Sequence, residues 1–176
     1  GLDADRFEGL VRRGRAELTA GEARQAAATL GEALALWRGP ALADVADAGF
    51  AQPEIARLED LRLACMSDRI DADLACGRHA EALGELEALV REHPLRERLR
   101  GQQMLALYHA GRQAEALAVY RDAHEALVEG LGIEPSPELR ALESAIARDE
   151  LPPPADSRRL VTCLFARRAD ELVARD

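Results

Sequence analysis

Three segments of the chain begin alike, and this repeat restricts the fold more than any other feature of the sequence. Each segment has a glycine, an alanine five residues after it and an apolar or aromatic residue nine residues after it. The second and third glycines are 34 residues apart. A period of this length, with apolar residues at helical spacing, indicates stacked helical hairpins. The segments are Gly21, Ala26 and Leu30, then Gly77, Ala82 and Leu86, then Gly111, Ala116 and Tyr120.

The residue types at these positions fit helix–turn–helix units of the tetratricopeptide kind, which repeat every ~34 residues. Alanines allow paired helices to approach closely. Each glycine follows a predicted helix, where we expect a left-handed conformation that costs a residue with a side chain about 1–2 kcal/mol. We therefore predict an all-α fold. It is a tetratricopeptide-like helical repeat array of about seven helices, with a C-terminal capping helix and a short appended tail.

Local signals place the helix starts. Pro53, Pro94 and Pro137 each suit the first helical position, where the missing N–H of proline costs nothing. Asp3 and Ser136 are expected to cap the helices that follow them, because their side-chain oxygens can accept from free backbone N–H groups. The predicted helices cover 3–19, 22–37, 53–76, 79–92, 95–110, 113–130 and 137–148.

We divide the chain into a helical domain at 1–150 and a C-terminal segment at 151–176. The segment opens with a proline-rich linker. The β-prone stretch 158–166 follows it, and a single strand is not stable alone. We therefore expect either the start of a truncated next domain or an appended tail. Within the first domain, the stretch 38–52 interrupts the repeat and is expected to form a loop that buries Leu42, Val45 and Phe50.

Composition and charge favour helices and a protein partner. Hydrophobic residues make up 48% of the chain but aromatic residues only 3%, so alanine and leucine, both strong helix formers, supply the core. The net charge is −9, whereas DNA binding needs a surplus of cationic contacts. No apolar run reaches the ~20 residues that cross a membrane, and no signal-peptide pattern opens the chain. We expect a cytoplasmic protein without membrane contact.

Motifs for catalysis and cofactor binding are absent from the sequence. The phosphate loop G-x-x-x-x-G-K-[ST] needs a lysine and the chain has none, and neither G-x-G-x-x-G nor G-x-S-x-G occurs. The three cysteines and four histidines lack metal-ligand spacing, and we expect the thiols to be reduced. We therefore expect no enzyme activity, no metal and no cofactor.

Arginines are densest near the middle of the chain, and two interpretations stay open. They can pair with glutamates one helical turn away, namely Glu92, Glu97 and Glu115, at ~0.2–0.5 kcal/mol per pair. Alternatively, they form a face for an acidic protein surface, because a guanidinium group binds a carboxylate with two parallel hydrogen bonds. The candidate contact arginines are Arg91, Arg96, Arg98, Arg100 and Arg112.

Two of the candidate contact residues have further alternatives. Arg96 follows Pro94 and Leu95, and a part-buried Arg96 could fix the corner between two helices. Trp37 is the single tryptophan of the chain. It either packs in or beside the core or forms an exposed contact for a partner protein.

Six phrases of the sequence, in this order and spacing, closely resemble the bacterial transcriptional activator domain of the Streptomyces antibiotic regulatory protein family. The resemblance covers about residues 3–148. The phrases are LWRGPALADV at 36–45, RLEDLR at 57–62, HPLRERL at 93–99, MLALYHAGRQAEAL at 104–117, YR at 120–121 and LGIEPSPEL at 131–139.

The resemblance implies a tetratricopeptide-like module that supports dimerisation and contacts RNA polymerase holoenzyme. In the family, this module follows a winged-helix domain that binds promoter DNA, and the protein activates antibiotic-biosynthesis genes. The winged helix is not among these residues, so DNA contact is expected only through a domain absent from this chain. The resemblance thus predicts a regulatory protein-interaction module with a possible homodimer.

Two alternatives to this function remain. One is a generic tetratricopeptide-like scaffold that binds peptides, although carboxylate clamps in such folds often use lysine and asparagine, which the chain lacks. The other is a regulatory segment before a nucleotide-binding or cyclase-like domain. The stretch 159–166 resembles the opening strand of class III nucleotidyl cyclases, but Arg167 stands where those domains place a metal-binding aspartate.

Overall fold

The computed structural model describes residues 3–37 and 52–152. These residues form seven α-helices and no strand, which confirms the predicted all-α class. Each helix lies within two residues of its predicted bounds at either end. The proposed loop residues Leu42, Val45 and Phe50 and the stretch 158–166 lie outside the described residues. The helices are α1 (Ala4–Thr19), α2 (Ala23–Ala35), α3 (Gln52–Ala75), α4 (His79–Glu92), α5 (Glu97–His109), α6 (Gln113–Leu131) and α7 (Pro137–Ala147).

The chain divides into two compact units, Gly1–Asp73 and Leu74–Asp176. In the first unit, α1 packs against α2, and their apolar faces meet around Phe7 and Leu30, both fully buried. Two ion pairs tie α3 to α1 in this unit: Arg15 Nε lies 2.7 Å from Asp68 Oδ2, and Arg57 Nη2 lies 2.6 Å from Glu8 Oε1.

The second unit is built around α5. This helix packs against α4, α6 and α7, and every residue from 101 to 107 is buried. α7 covers one side of α5 and α6 as the predicted capping helix, with Leu139, Leu142 and Ile146 buried. Gln113 Nε2 donates to the Ile146 carbonyl at 2.6 Å, which joins α6 to α7.

The turn glycines have the left-handed conformation expected from the repeat. The φ angles are +80° at Gly21, +81° at Gly77 and +78° at Gly111. After α1, Gly21 N donates to Leu18 O and Glu22 N to Glu17 O. These two bonds satisfy carbonyls that the helix end would otherwise leave free.

Both predicted side-chain caps are present, but one proline prediction was wrong. Asp3 accepts from Arg6 N at 3.0 Å, and Ser136 Oγ accepts from Leu139 N at 3.3 Å. Pro137 begins α7 as predicted. Pro94 does not begin α5; it lies in the turn before Arg96, the N-cap. None of the described helices is long and apolar enough to span a membrane.

Candidate protein-contact surface

The structure separates the five candidate arginines into two groups. Arg91 lies in the last turn of α4, Arg96 occupies the N-cap position of α5, and Arg98 and Arg100 lie in the first turn of α5. Arg112 occupies the N-cap position of α6 instead. The thirteen residues of α5 separate it from the others by about 20 Å at the usual helical rise. Arg112 therefore belongs to a different part of the surface.

Exposure and hydrogen bonding divide the arginines further. Arg91 and Arg96 are exposed, whereas Arg98 and Arg100 are half-buried. Arg100 Nε donates to the Pro94 carbonyl at 3.3 Å. Burial lowers the pKa of Arg100, and the nearby carboxylate of Asp122 partly opposes this effect. The corner-fixing role considered for Arg96 therefore fits Arg100.

The expected arginine–glutamate pairs are present at Glu115 but not at Glu97. Arg112 donates to both carboxylate oxygens of Glu115, at 2.7 and 2.6 Å, and Glu115 was one of the predicted partners. Glu97 accepts instead from the backbone N–H of Ser136, at 2.7 Å. This carboxylate joins the start of α5 to the start of α7.

Trp37 lies at the edge of the first unit's core. It is half-buried, and its ring meets Phe7 edge-on with the centroids 5.5 Å apart. The guanidinium group of Arg62 lies 4.8 Å from the centroid of the Trp37 ring, close enough for a cation–π interaction. The structure therefore places Trp37 in the packing position that was one of its two alternatives.

The repeat alanines are buried, and the third repeat differs at its larger residue. Ala26, Ala82 and Ala116 are at most 4% exposed. Leu30 and Leu86, nine residues after their glycines, are fully buried, whereas Tyr120 is half-buried. Burial raises the pKa of Tyr120, with nearby Glu143 adding to the effect.

Four exposed apolar side chains lie around the C-terminal end of α6, and sequence reasoning missed them. A β-carbon on Gly130 would lie 3.8 Å from Leu95 Cδ2, so the turn between α4 and α5 approaches the last turn of α6. Leu95 and Ile133 lie outside the helices, where apolar residues are a weak sequence signal of a surface contact, whereas Val128 and Leu131 belong to α6. We call these four residues the α6-end patch: Leu95 at 42% exposure, Val128 at 37%, Leu131 at 53% and Ile133 at 48%.

Charges of both signs border the α6-end patch. Arg91 and Arg96 lie on the side of the α4–α5 turn, and Glu125 and Glu129 lie on α6; all four side chains are exposed. His124 Nε2 lies 3.2 Å from Glu134 Oε2, which links α6 to the segment after it. An apolar centre with charged edges is the usual composition of a protein–protein contact.

A histidine pair lies elsewhere in the second unit, where sequence spacing predicted no site. The rings of His79 and His109 are in tilted contact, with centroids 4.8 Å apart and planes at 35°. Burial lowers the pKa of both, and His79 adds to the effect on His109, which falls to about 4. Within 3–37 and 52–152, no cluster of three histidine, cysteine or acidic side chains could hold a metal ion.

Comparison with known proteins identifies related sequences along the helical part of the chain. Residues 2–147 match the family model described as the bacterial transcriptional activator domain. The regulatory protein AfsR of Streptomyces griseus is 46% identical over 157 residues, which are 88% of this chain and 16% of AfsR. The regulatory protein DnrI of Streptomyces peucetius is 42% identical over 146 residues, which are 83% of this chain and 54% of DnrI.

A solved structure shares the fold. The chain of Mycobacterium tuberculosis EmbR, in a complex with a low affinity phosphopeptide, aligns with a TM-score of 0.86 at 36% identity. The alignment covers 96% of this chain and 44% of the EmbR chain. The matched residues of this chain correspond to only part of each relative's length: 16% of AfsR and 54% of DnrI.

Proposed function

Because the chain belongs to the bacterial transcriptional activator domain family, we propose that it is the regulatory protein-contact module of a transcriptional activator. It associates with a second copy of itself and contacts RNA polymerase holoenzyme. Promoter DNA is bound by a winged-helix domain outside these 176 residues. The module comprises residues 1–150, followed by a linker or tail at 151–176, and it acts in the cytoplasm without catalysing a reaction.

The observation that carries this proposal is the family match across residues 2–147, with relatives that are regulatory proteins. The charge of the chain supports the assignment of protein contacts to this module and of DNA binding to another domain. A net charge of −9 opposes approach to the phosphate backbone, because DNA affinity depends on cationic groups that displace counterions. The similarity to Streptomyces regulators makes antibiotic-biosynthesis genes the proposed targets.

We place the polymerase contact at Arg96 and Arg112, the exposed N-cap residues of α5 and α6. Arginine suits this role because its planar guanidinium binds carboxylates with two hydrogen bonds. The Arg112–Glu115 ion pair is exposed, and such surface pairs contribute little to stability. Arg112 can therefore exchange Glu115 for a carboxylate of the partner at small cost.

A binding experiment with charge-reversed variants tests the polymerase contact. The 176-residue chain is immobilised and titrated with bacterial RNA polymerase holoenzyme. We expect the double variant Arg96→Glu, Arg112→Glu to bind at least about ten-fold more weakly, since like charges across an interface repel. Arg24→Glu is the control, because Arg24 is exposed on α2 in the other unit.

Unfolding temperatures of the variants show whether the fold is intact. Equal polymerase binding by the wild type and a folded double variant would exclude this contact site. No saturable binding by the wild type would contradict the polymerase contact itself.

A further inference from the structure

We propose that the α6-end patch is the surface through which two copies of this chain associate, with Arg91 of one copy facing Glu129 of the other. The proposal rests on the self-association part of the proposed function and assigns a surface to it. The pairing residues Arg91 and Glu129 differ from Arg96 and Arg112 of the polymerase contact, although Arg96 borders the patch.

Exposed apolar surface is concentrated in one place among the described residues. The large hydrophobic side chains that are exposed among the described residues are the four members of the patch, Leu95, Val128, Leu131 and Ile133. All four lie at one end of the second unit, around the last turn of α6. An exposed apolar cluster bordered by polar residues marks a protein contact, because covering it removes apolar surface from water.

Two opposite charges beside the patch have no partner among the residues that the structure describes. Arg91 and Glu129 are exposed, and neither makes an ion pair or side-chain hydrogen bond to another described residue. Arg91 precedes Leu95 by four residues, near the end of α4, and Glu129 follows Val128 directly. The patch therefore has a cationic side and an anionic side, each adjacent to an apolar residue.

This arrangement matches itself under a two-fold rotation. In a symmetric dimer, if one residue contacts a second residue across the interface, the second contacts the first in return. Arg91 and Glu129 of one copy can therefore meet Glu129 and Arg91 of the other while the apolar centres cover each other. A purely acidic partner would face Glu125 and Glu129, and a purely basic one would face Arg91 and Arg96.

The experiment is sedimentation equilibrium of the 176-residue chain and of two charge-reversed variants. Arg91→Glu places two pairs of like charges across the dimer, and so does Glu129→Arg. We expect each variant to dimerise at least about ten-fold more weakly than the wild type, because like charges across an interface are repulsive. In an equimolar mixture, both pairs regain opposite signs, so we expect the mixture to dimerise as strongly as the wild type.

Two further variants complete the test. Leu131→Asp introduces charge into the apolar centre and should also weaken the dimer at least about ten-fold, since exposed Leu131 has no role in the buried core. Arg24→Glu changes the net charge by the same amount as Arg91→Glu but lies in the first unit, and should leave the dimer unchanged. Thermal unfolding confirms that each variant is folded.

The possible results distinguish a failure of the proposed surface from a failure of the proposed self-association. Restored association in the mixture supports the two-fold pairing of Arg91 with Glu129. A wild type that dimerises while the single variants dimerise equally well overturns the surface and leaves self-association standing. A wild type that stays monomeric overturns both the surface and the self-association, whereas the polymerase contact is tested separately by titration of the Arg96→Glu, Arg112→Glu variant.

Discussion

Leu30 lies so close to Gly14 that a β-carbon added to Gly14 would be 2.5 Å from Leu30 Cγ. Gly14 is buried in α1 and Leu30 is fully buried in α2. The contact brings the two helices of the first hairpin together at a position where no side chain fits. The distance between α1 and α2 is therefore set by a glycine outside the repeated motif.

Gly14→Ala should destabilise the first unit by about 1–3 kcal/mol, because the new methyl group overpacks the contact with Leu30. The matched control is Gly31→Ala in α2, where an added β-carbon meets nothing within 4 Å. Relief of glycine's conformational entropy should make that variant about 0.5–1 kcal/mol more stable. Urea unfolding monitored by circular dichroism measures both, and equal stabilities would contradict the close contact.

Gly111→Val should destabilise the second unit through its backbone alone. The φ angle of Gly111 is +78°, and a β-carbon there meets nothing within 4 Å. The cost is therefore the left-handed penalty of about 1–2 kcal/mol for a residue with a side chain. Gly111→Asn should recover part of it, because asparagine tolerates this conformation. A melting temperature unchanged in Gly111→Val would refute the turn assignment.

The features that were predicted correctly depend on neighbouring residues, whereas those that were missed depend on tertiary packing. A glycine ends a helix and Ser136 begins one through local backbone geometry, so the helix bounds could be predicted from the sequence. The contact of Gly14 with Leu30 and the burial of Arg100 depend on residues far apart along the chain. Pro94 was misplaced because four residues, 93–96, connect α4 to α5, so α5 begins three residues after Pro94.

The candidate surface could be predicted only in part, because exposure also depends on residues far apart along the chain. Arginine density identified Arg91 and Arg96 but could not show that Arg98 and Arg100 are half-buried. Leu131 and Ile133 follow the same hydrophobic preferences as core residues, so sequence alone could not show that they are exposed. Exposure is a property of the packed second unit.

Asp149 is a second residue with a left-handed backbone conformation, and a hydrogen bond to its side chain offsets the cost of that conformation. Asp149 has φ of +56° after α7, and its Oδ1 accepts a hydrogen bond from the Tyr108 hydroxyl. That hydrogen bond also raises the pKa of Tyr108. Tyr108→Phe removes the bond and leaves the backbone conformation, so stability should fall by about 0.5–1.5 kcal/mol.

Asp149→Gly is the matched variant for this contact. It removes the same hydrogen bond but relieves the small left-handed cost that aspartate still bears, so it should lose less stability than Tyr108→Phe. Thermal unfolding compares the two. A larger loss in Asp149→Gly than in Tyr108→Phe would contradict this assignment of costs.

The contact pair His79 and His109 should make the protein less stable in acid. The pKa of His109 is lowered from 6.5 to about 4 in the folded state, and that of His79 is also lowered, so the unfolded chain binds protons first as the pH falls. The stability associated with the neutral pair is therefore complete above pH 6.5 and is lost progressively toward pH 4.

The double variant His79→Gln, His109→Gln isolates this pH dependence from that of the carboxylates. Urea unfolding of the wild type and the variant is compared between pH 7 and pH 5, above the range in which most carboxylates titrate. We expect the wild type to lose stability more steeply with acid over this interval. Parallel stability curves would show that the pair has no such effect.

Parallel titrations with protein and DNA test most directly whether this chain is the protein-contact part of an activator. The 176-residue chain, fluorescently labelled at its N-terminus, is titrated with RNA polymerase holoenzyme and separately with duplex promoter DNA, and anisotropy is recorded at moderate salt. We expect saturable binding to the polymerase and no sequence-specific binding to the DNA. Salt-sensitive, sequence-specific DNA binding without polymerase binding would contradict the account.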